Sequence, residues 1–426
     1  MKVKLTLLII SLLTVLSFSN FNDLYLRNLN TSTYLKSKES LDVSILSLNK
    51  KENFWSPYLS LNTGFGGISF DKDGLNKMNF SIKANFLELY GSTIGLTLPF
   101  SIDAKDNWKF DSDLKNLSLS FTRSLAKEPE VEMLNAKSNY YNSLYSFNNY
   151  KTSIFIKTIK DIFSKYYIIN SLKLNKEELQ IQKNKYNFET DEDKKESLNI
   201  QILQREKIIN SYEVQLKSLS EIDESLYEST KKYVGNLVEN SKESTIVNRY
   251  DLKAIKLSTK AKELQKNNWF LPYLPDMSIN ISISDINNFN WSISISFDYS
   301  IFDRGERLIA INSRKINSNE YSYEEALTTI NNNINTLKDS IINSEIDIQI
   351  SKINIKNALE DYNNKKKLSE KGFISKDDFN LFKVEYELKK LDLEKVNNDM
   401  LINKLNLLKE YGYFQNSEVI KVEKID

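Results

Sequence analysis

Between Trp291 and Ser300 the chain reads Trp-Ser-Ile-Ser-Ile-Ser-Phe-Asp-Tyr-Ser, apolar or aromatic at every odd position and Ser at nearly every even one. Successive side chains of a strand point to opposite faces, so this spacing predicts one oily face and one wet face. Past Phe302-Asp303-Arg304-Gly305 the period lengthens, and Tyr323, Leu327, Ile330, Ile334, Leu337 and Ile341 follow in steps of four and three. That is the spacing of a coiled-coil seam. The seam continues through Ile348, Ile355 and Tyr362, and a second one appears at Ile342, Ile346, Ile350 and Ile353, so two helical neighbours are predicted. From Arg304 to Leu368 no Pro and only Gly305 intervene, which predicts a single helix of roughly 100 Å. A tight turn at Gly372 and a helix returning to Gly412 complete a hairpin.

The same alternation occurs in Leu59-Ser-Leu61-Asn, Phe80 to Phe86, Ile94 to Ile102, Leu117-Ser-Leu119-Ser-Phe121 and Met277 to Ser284, with polar turns such as Asp71-Lys-Asp-Gly74 and Lys105-Asp-Asn107 between. The segments approach the length of about 9–11 residues at which a tilted strand crosses a bilayer. Trp55, Tyr58, Tyr90, Trp108, Trp269, Tyr273 and Trp291 stand at or near strand ends, where a membrane barrel carries its aromatic girdle. A soluble β-sandwich face fits the alternation as well.

The remaining segments read as helices: Leu24 to Lys51, Arg123 to about Lys185, Lys194 to Glu224 after an acidic break at Glu189, Asp191, Glu192 and Asp193, and Leu226 to Asn267. The chain then starts over. Phe54-Trp55-Ser56-Pro57-Tyr58-Leu59 and Trp269-Phe270-Leu271-Pro272-Tyr273-Leu274 share an aromatic pair followed by Pro-Tyr-Leu, about half the chain apart. Each follows a helix and is expected to open a strand, where a Pro at the first residue disturbs no ladder hydrogen bond. Each half thus reads helix, strands, long helix, tip, returning helix.

Composition narrows the chemistry. The 426 residues hold 10 Gly and 5 Pro, too few for many turns, and the net charge of +1 gives no general reason to expect nucleic acid as a partner. With no Cys and no His there is no disulfide, thiol nucleophile, Cys/His zinc site or histidine base. The remaining carboxylates, Lys, Ser and Tyr form no recognisable catalytic spacing, so no enzyme activity, catalytic residue, metal or cofactor is expected. Residues 1–20 read as an export signal, with Lys2 and Lys4 ahead of an apolar core from Leu5 to Leu16 and small residues at Ser17-Phe18-Ser19-Asn20.

These features resemble the TolC-like outer-membrane efflux proteins. The resemblance is carried by the aromatic-Leu-Pro-x-Leu approach to the strands, the junction Phe302-Asp303-Arg304-Gly305, the turn Glu370-Lys371-Gly372-Phe373-Ile374-Ser375-Lys376-Asp377-Asp378-Phe379 and the closing Leu407-Leu408-Lys409-Glu410-Tyr411-Gly412. It implies an α+β membrane protein: a homotrimer in which long coiled-coil hairpins form a periplasmic α-barrel and the strands of three chains close one β-barrel in outer-membrane lipid. The expected divisions are a first repeat over 21–225, with strands about 57–122 and a hairpin about 123–225, a second over 226–412, with strands about 272–301 and a hairpin about 304–412, and a tail over 413–426. The expected role is the exit duct of a tripartite efflux or type I secretion system, partnered by a periplasmic adaptor and an inner-membrane transporter. The alternative is a periplasmic coiled-coil protein without a pore.

The family has two strands per repeat, whereas the first half here has room for four. Both flanking helices lie on one side of the membrane, so crossings come in even number. The extra pair near Phe80 to Ile102 either widens the barrel or stands outside it, and Pro99 favours an external hairpin.

The resemblance also implies a site at the tip, where Gly372, Phe373, Ile374, Ser375, Asp377 and Asp378 meet the adaptor and the acidic pair narrows the periplasmic entrance, with Lys371 and Lys376 placed to bridge it. Ser375 followed by Asp377 and Asp378 is equally good chemistry for capping a helix. The first-repeat tip keeps only Glu189, Asp191, Glu192 and Asp193, which read foremost as a solvated charge run. Ser278, Asn280, Ser282, Ser284, Ser292, Ser294 and Ser296 are expected to line a small, uncharged lumen.

Overall fold

The computed structural model describes residues 21–53, 57–72, 74–89, 92–105, 108–112, 117–124, 128–217, 224–241, 248–285, 290–299, 305–316 and 319–415. Residues 1–20, where an export signal is expected, Phe54-Trp55-Ser56, Tyr90, Phe302-Asp303-Arg304 and most of residues 413–426 lie outside the described residues. The chain divides into two compact units, residues 37–146 with 250–327 and residues 1–36 with 147–249 and 328–426.

The first unit holds an antiparallel sheet. Its strands are β1 (Pro57–Asp71), β2 (Gly74–Leu89), β3 (Ser92–Asp103), β4 (Lys109–Ser112), β5 (Ser118–Ser124), β6 (Asp276–Asp285) and β7 (Asn290–Asp298), in the order β1-β2-β3-β5-β6-β7 with β4 beside β3. The extra pair is therefore part of the sheet, against the expected external hairpin. The register explains how Pro99 is tolerated. It faces Ser81 of β2, but on the other side of β3 the pairing with β5 stops at Thr97 and that with β4 begins at Phe100. A residue without an N–H fits a position that this ladder skips.

Pro57 opens β1 as expected, but Pro272 does not open a strand. Leu271–Tyr273 form a 3-10 turn, and β6 begins only at Asp276. The fixed φ of Pro suits the first positions of a helical turn as well as a strand start.

This unit also holds most of α2 (Ser32–Glu52), the start of α3 (Pro129–Phe188), α6 (Tyr250–Asn267) and α7 (Glu306–Lys315). Val131 and Leu134 meet Ala261 in a small core, and Glu128 takes Arg314 at 2.6 Å. The single helix expected from Arg304 is broken. Ile316 is extended, at φ −97 and ψ 116, and α8 (Ser322–Glu370) starts afresh. The hydroxyl groups of α6 hold the break, with Thr259 Oγ1 donating to the Asn319 carbonyl at 3.1 Å and Asn319 Nδ2 donating to Ser258 Oγ at 3.2 Å. Asn and Ser in this segment compete locally for backbone hydrogen bonds, and here a neighbouring helix makes the competition succeed. The 49 residues of α8 still span roughly 75 Å.

The second unit is helical. Residues 21–29 form α1, separated from α2 by a break at Asn30 and Thr31, where one helix from Leu24 was expected. The break is tied down by Thr31 Oγ1, which lies 2.6 Å from the Tyr150 hydroxyl and caps Tyr34 N–H at 3.2 Å. α3 is 60 residues long, opening on Pro129 with Glu130 and Glu132 in its first turn. It is followed by α4 (Glu192–Lys217) and α5 (Glu224–Asn240), and the chain closes with α9 (Lys376–Glu410). Phe155, Ile159 and Ile162 of α3 meet Tyr25 and Leu29 of α1, Tyr227 and Val234 of α5 and Leu405 of α9 in the main core.

The closing motif completes that core. Leu408 and Tyr411 are buried, Glu410 accepts from the buried Arg249 at 3.2 Å, and Gly412 turns the chain at φ 79. Arg249 Nη1 also donates to the Glu410 carbonyl at 2.5 Å, satisfying one of the orphan acceptors of the last helical turn.

Candidate functional site

The register sorts the sheet into two faces. Leu59 and Leu61 of β1 stand beside Ala84 and Ile82 of β2, which stand beside Leu96 and Leu98 of β3. Leu119 and Phe121 of β5 continue the row to Ile283 and Ile281 of β6, and Trp291 and Ile293 of β7 end it. This apolar face is not covered by the described residues: Leu59 is 65% exposed, Trp291 62% and Phe297 63%. A contiguous oily sheet face of this extent marks a surface that meets lipid or another protein. Tyr58, Trp108, Trp269 and Tyr273 are exposed as well.

The opposite face is polar. Ser278, Asn280, Ser292, Ser294 and Ser296 share it, with Ser278 Oγ 2.6 Å from Ser296 Oγ and Thr122 Oγ1 donating to Asn280 Oδ1 at 2.6 Å. Ser282 takes its place in the register between Ser120 and Ser292. The expected uncharged lining is corrected by β2, which brings Lys77, Asn79, Ser81, Lys83 and Asn85 to this same face. Sequence reading overlooked them because it did not assign β2 to the sheet. The signal was available in the strict alternation of Lys77-Met-Asn-Phe-Ser-Ile-Lys-Ala-Asn-Phe86.

Among the described residues, β1 and β7 each have a strand partner on one side only. Such edges present unpaired backbone donors and acceptors, the template for another strand.

In the helical unit the second seam of α8 is also uncovered. Ile330, Ile334 and Ile348 of the first seam are buried, whereas Ile342, Ile346, Ile350 and Ile353 are about half exposed or more. No described helix is long and apolar enough to cross a membrane.

The tip after α8 is built by its backbone. Phe373 N–H donates to the Leu368 carbonyl at 2.9 Å and Gly372 N–H to Ser369 at 3.0 Å, with Gly372 at φ 74. This is a Schellman closure, in which a left-handed Gly satisfies the last carbonyls of the helix. Ser375 then caps α9: its Oγ accepts from Asp378 N–H at 3.0 Å and donates to Asp378 Oδ2 at 2.7 Å. Within the chain, Asp378 is engaged by a lysine other than the expected Lys371 and Lys376. Lys185 near the end of α3 donates to Asp378 Oδ1 at 2.6 Å. The Lys185 hydrogen bond, with that of Ser375, holds the Asp378 carboxyl below its ordinary value. The Asp377 side chain makes no hydrogen bond or ion pair with another described residue. Ile374 is half-buried, and Phe373 is 73% exposed.

The acidic cluster of the other tip is more than a solvated charge run. Asp191 Oδ1 accepts from the N–H groups of Asp193 at 3.1 Å and Lys194 at 3.4 Å, capping α4, and those bonds hold its pKa down. Glu189 Oε1 accepts from Thr190 and Asp191 N–H groups at 3.1 Å. Glu192 and Asp193 occupy the first turn of α4, where negative charge meets the helix dipole. Phe188, 85% exposed, and Lys185 were both missed by the sequence reading, because neither interrupts the helical period.

No protein-family model matches the sequence, and no curated protein does. Solved structures do. The CmeC outer membrane channel of Campylobacter jejuni is 13% identical, with 94% of this chain and 87% of that one covered at a TM-score of 0.54. The outer membrane protein VceC of Vibrio cholerae is 12% identical, with 92% and 96% covered at 0.52. The MtrE outer membrane channel of Neisseria gonorrhoeae, in its open state, is 12% identical, with 93% and 88% covered at 0.52. At almost full length, this chain has the fold of these outer-membrane channels.

Proposed function

We propose that the chain is one protomer of a trimeric outer-membrane channel, the exit duct of an efflux or type I secretion system. The observation that carries the reading is the sheet, with one continuous exposed apolar face, one polar face and two unpaired edges. Lipid tolerates no open sheet edge, so β1 of one copy must meet β7 of the next. Three copies of the six-strand path make roughly eighteen strands, a barrel wide enough for an aqueous channel. The extra hairpin β2–β3 widens that barrel relative to the two strands per repeat of the TolC-like family. The uncovered seam Ile342, Ile346, Ile350 and Ile353 is the helical counterpart of the open edges, a surface for the neighbouring protomer.

On this reading the two halves of the chain are repeats, residues 1–20 export the chain, and the helices stand in the periplasm. The tips formed by Gly372 to Asp378 and by Glu189 to Asp193 face the adaptor and inner-membrane transporter, with Phe188 and Phe373 as apolar anchors and Asp377 as the unengaged carboxylate at the entrance.

The test is conductance of the detergent-purified mature protein in planar bilayers, with its mass measured in the same detergent. Discrete conducting steps from a three-chain species are expected. A soluble monomer or dimer that never conducts overturns the reading in favour of a non-pore coiled coil.

A further inference from the structure

On the polar face of the sheet, Lys83 stands in mid-strand with no acidic residue at the adjacent register positions. Lys83 lies in the middle of β2, flanked on its own strand by Ile82 and Ala84 of the apolar face. Its register partners are Ser60 on β1 and Thr97 on β3. The next positions on the same face are Ser81 and Asn85 on β2, Tyr58 and Asn62 on β1, and Gly95 and Pro99 on β3, none of them acidic. β7, the strand that would meet β1 from the next copy, brings Ser292, Ser294 and Ser296, and the acidic residues of its face, Asp298 and its register partner Asp276, stand at the far end of the β6–β7 ladder. The other lysines of this face differ: Lys77 and Lys109 both stand opposite Asp103, toward one end of the strands. Lys83 is exposed and makes no ion pair with another described residue.

We propose that Lys83 is a selectivity-determining residue of the barrel lumen, a ring of three ammonium groups that draws anionic solutes through the section the extra hairpin contributes. The inference rests on the channel reading and deepens it. A charge at this depth of an apolar strand must face water, which assigns the polar face to the lumen. Fixed charge on a low-dielectric wall concentrates counterions, and the effect reaches across a pore when salt is dilute, since the Debye length is about 30 Å at 0.01 M.

Two measurements test it. The chain has no Cys, so Lys83→Cys and Ile82→Cys each create a single thiol. In proteoliposomes, an impermeant charged maleimide is expected to label Lys83→Cys and spare Ile82→Cys; equal labelling of both would overturn the two-faced membrane sheet and with it the channel reading. Reversal potentials across a KCl gradient near 0.01 M, with chloride as the probe anion, are then compared for wild type, Lys83→Gln and Lys83→Glu. The potassium-to-chloride permeability ratio is expected to rise about two-fold with Gln and further with Glu. Conducting channels with a labelled Lys83→Cys but identical reversal potentials would overturn the selectivity proposal alone.

Discussion

Lys185 and Asp378 are 193 residues apart in sequence, and their side chains meet at 2.6 Å. The bridge ties the end of α3 to the cap of α9, so the two helical hairpins share one fastening at their tips. Both groups are partly exposed, and such a pair contributes about 0.2–1 kcal/mol.

Its pH dependence has a definite sign. The folded Asp378 carboxyl titrates below its ordinary value of 3.8, so its contribution is fully present above that value and is lost as the pH falls through the depressed one. Limited proteolysis of the tip is expected to be unchanged from neutral pH to about pH 4.5 and to accelerate below 3.8. Asp378→Asn should be susceptible at every pH. A wild-type tip that loosens already at pH 5 would exclude Asp378 as the fastening group.

On the channel reading the same tip gates the entrance. Asp377→Ala with Asp378→Ala is expected to raise single-channel conductance or reduce cation preference. Unchanged conductance and selectivity would remove the acidic pair from the entrance.

Two glycines that share a left-handed backbone are expected to respond differently. Nothing lies within 4 Å of a Cβ built on Gly372, so Gly372→Ala costs backbone strain alone, about 1 kcal/mol. A Cβ on Gly412 would sit 2.8 Å from Arg249 Cγ, so Gly412→Ala adds a collision within the core and should lower the melting temperature more. Equal melting temperatures would mean that Arg249 moves aside freely.

Arg249 itself is 5% exposed and Glu410 23%. Arg249→Ala leaves a largely buried carboxylate and a carbonyl without their donor, for which about 3–5 kcal/mol of destabilisation is expected in chemical denaturation. A loss below about 1 kcal/mol would show the pair to be solvated.

The exposed seam of α8 tests assembly apart from folding. On the channel reading, Ile342→Ser, Ile346→Ser and Ile350→Ser together should abolish the proposed trimer in detergent while leaving the circular dichroism helical. A trimer that survives would place the neighbouring protomer elsewhere.

Much of the fold follows from period alone. Alternation marks β3, β5, β6 and β7 because each has one oily face, and the steps of three and four locate α8 because a helix shows the same face every 3.6 residues. Ser375 with Asp378 and Gly372 mark the second tip through local chemistry, a cap and a left-handed residue, which act within a few positions of one another. The assignment of no Cys or His chemistry is equally local, being a matter of composition.

What only the tertiary structure decided is long-range. Whether β2 and β3 enter the sheet depends on β5 pairing with β3 on one side and β6 on the other, and Pro99 is tolerated because the β3 ladder skips it. The helix expected from Arg304 is broken where α6 presents Ser258 and Thr259 to Asn319, a competition that no seam in the sequence records. Lys185 finds Asp378 only when α3 and α9 lie side by side. Sequence thus determined the faces of each element and the chemistry of its ends, because those depend on neighbours a few residues away. Folding decided which faces meet, which strands share a ladder and which charges are left unpaired, because those depend on groups that the chain brings together from opposite halves.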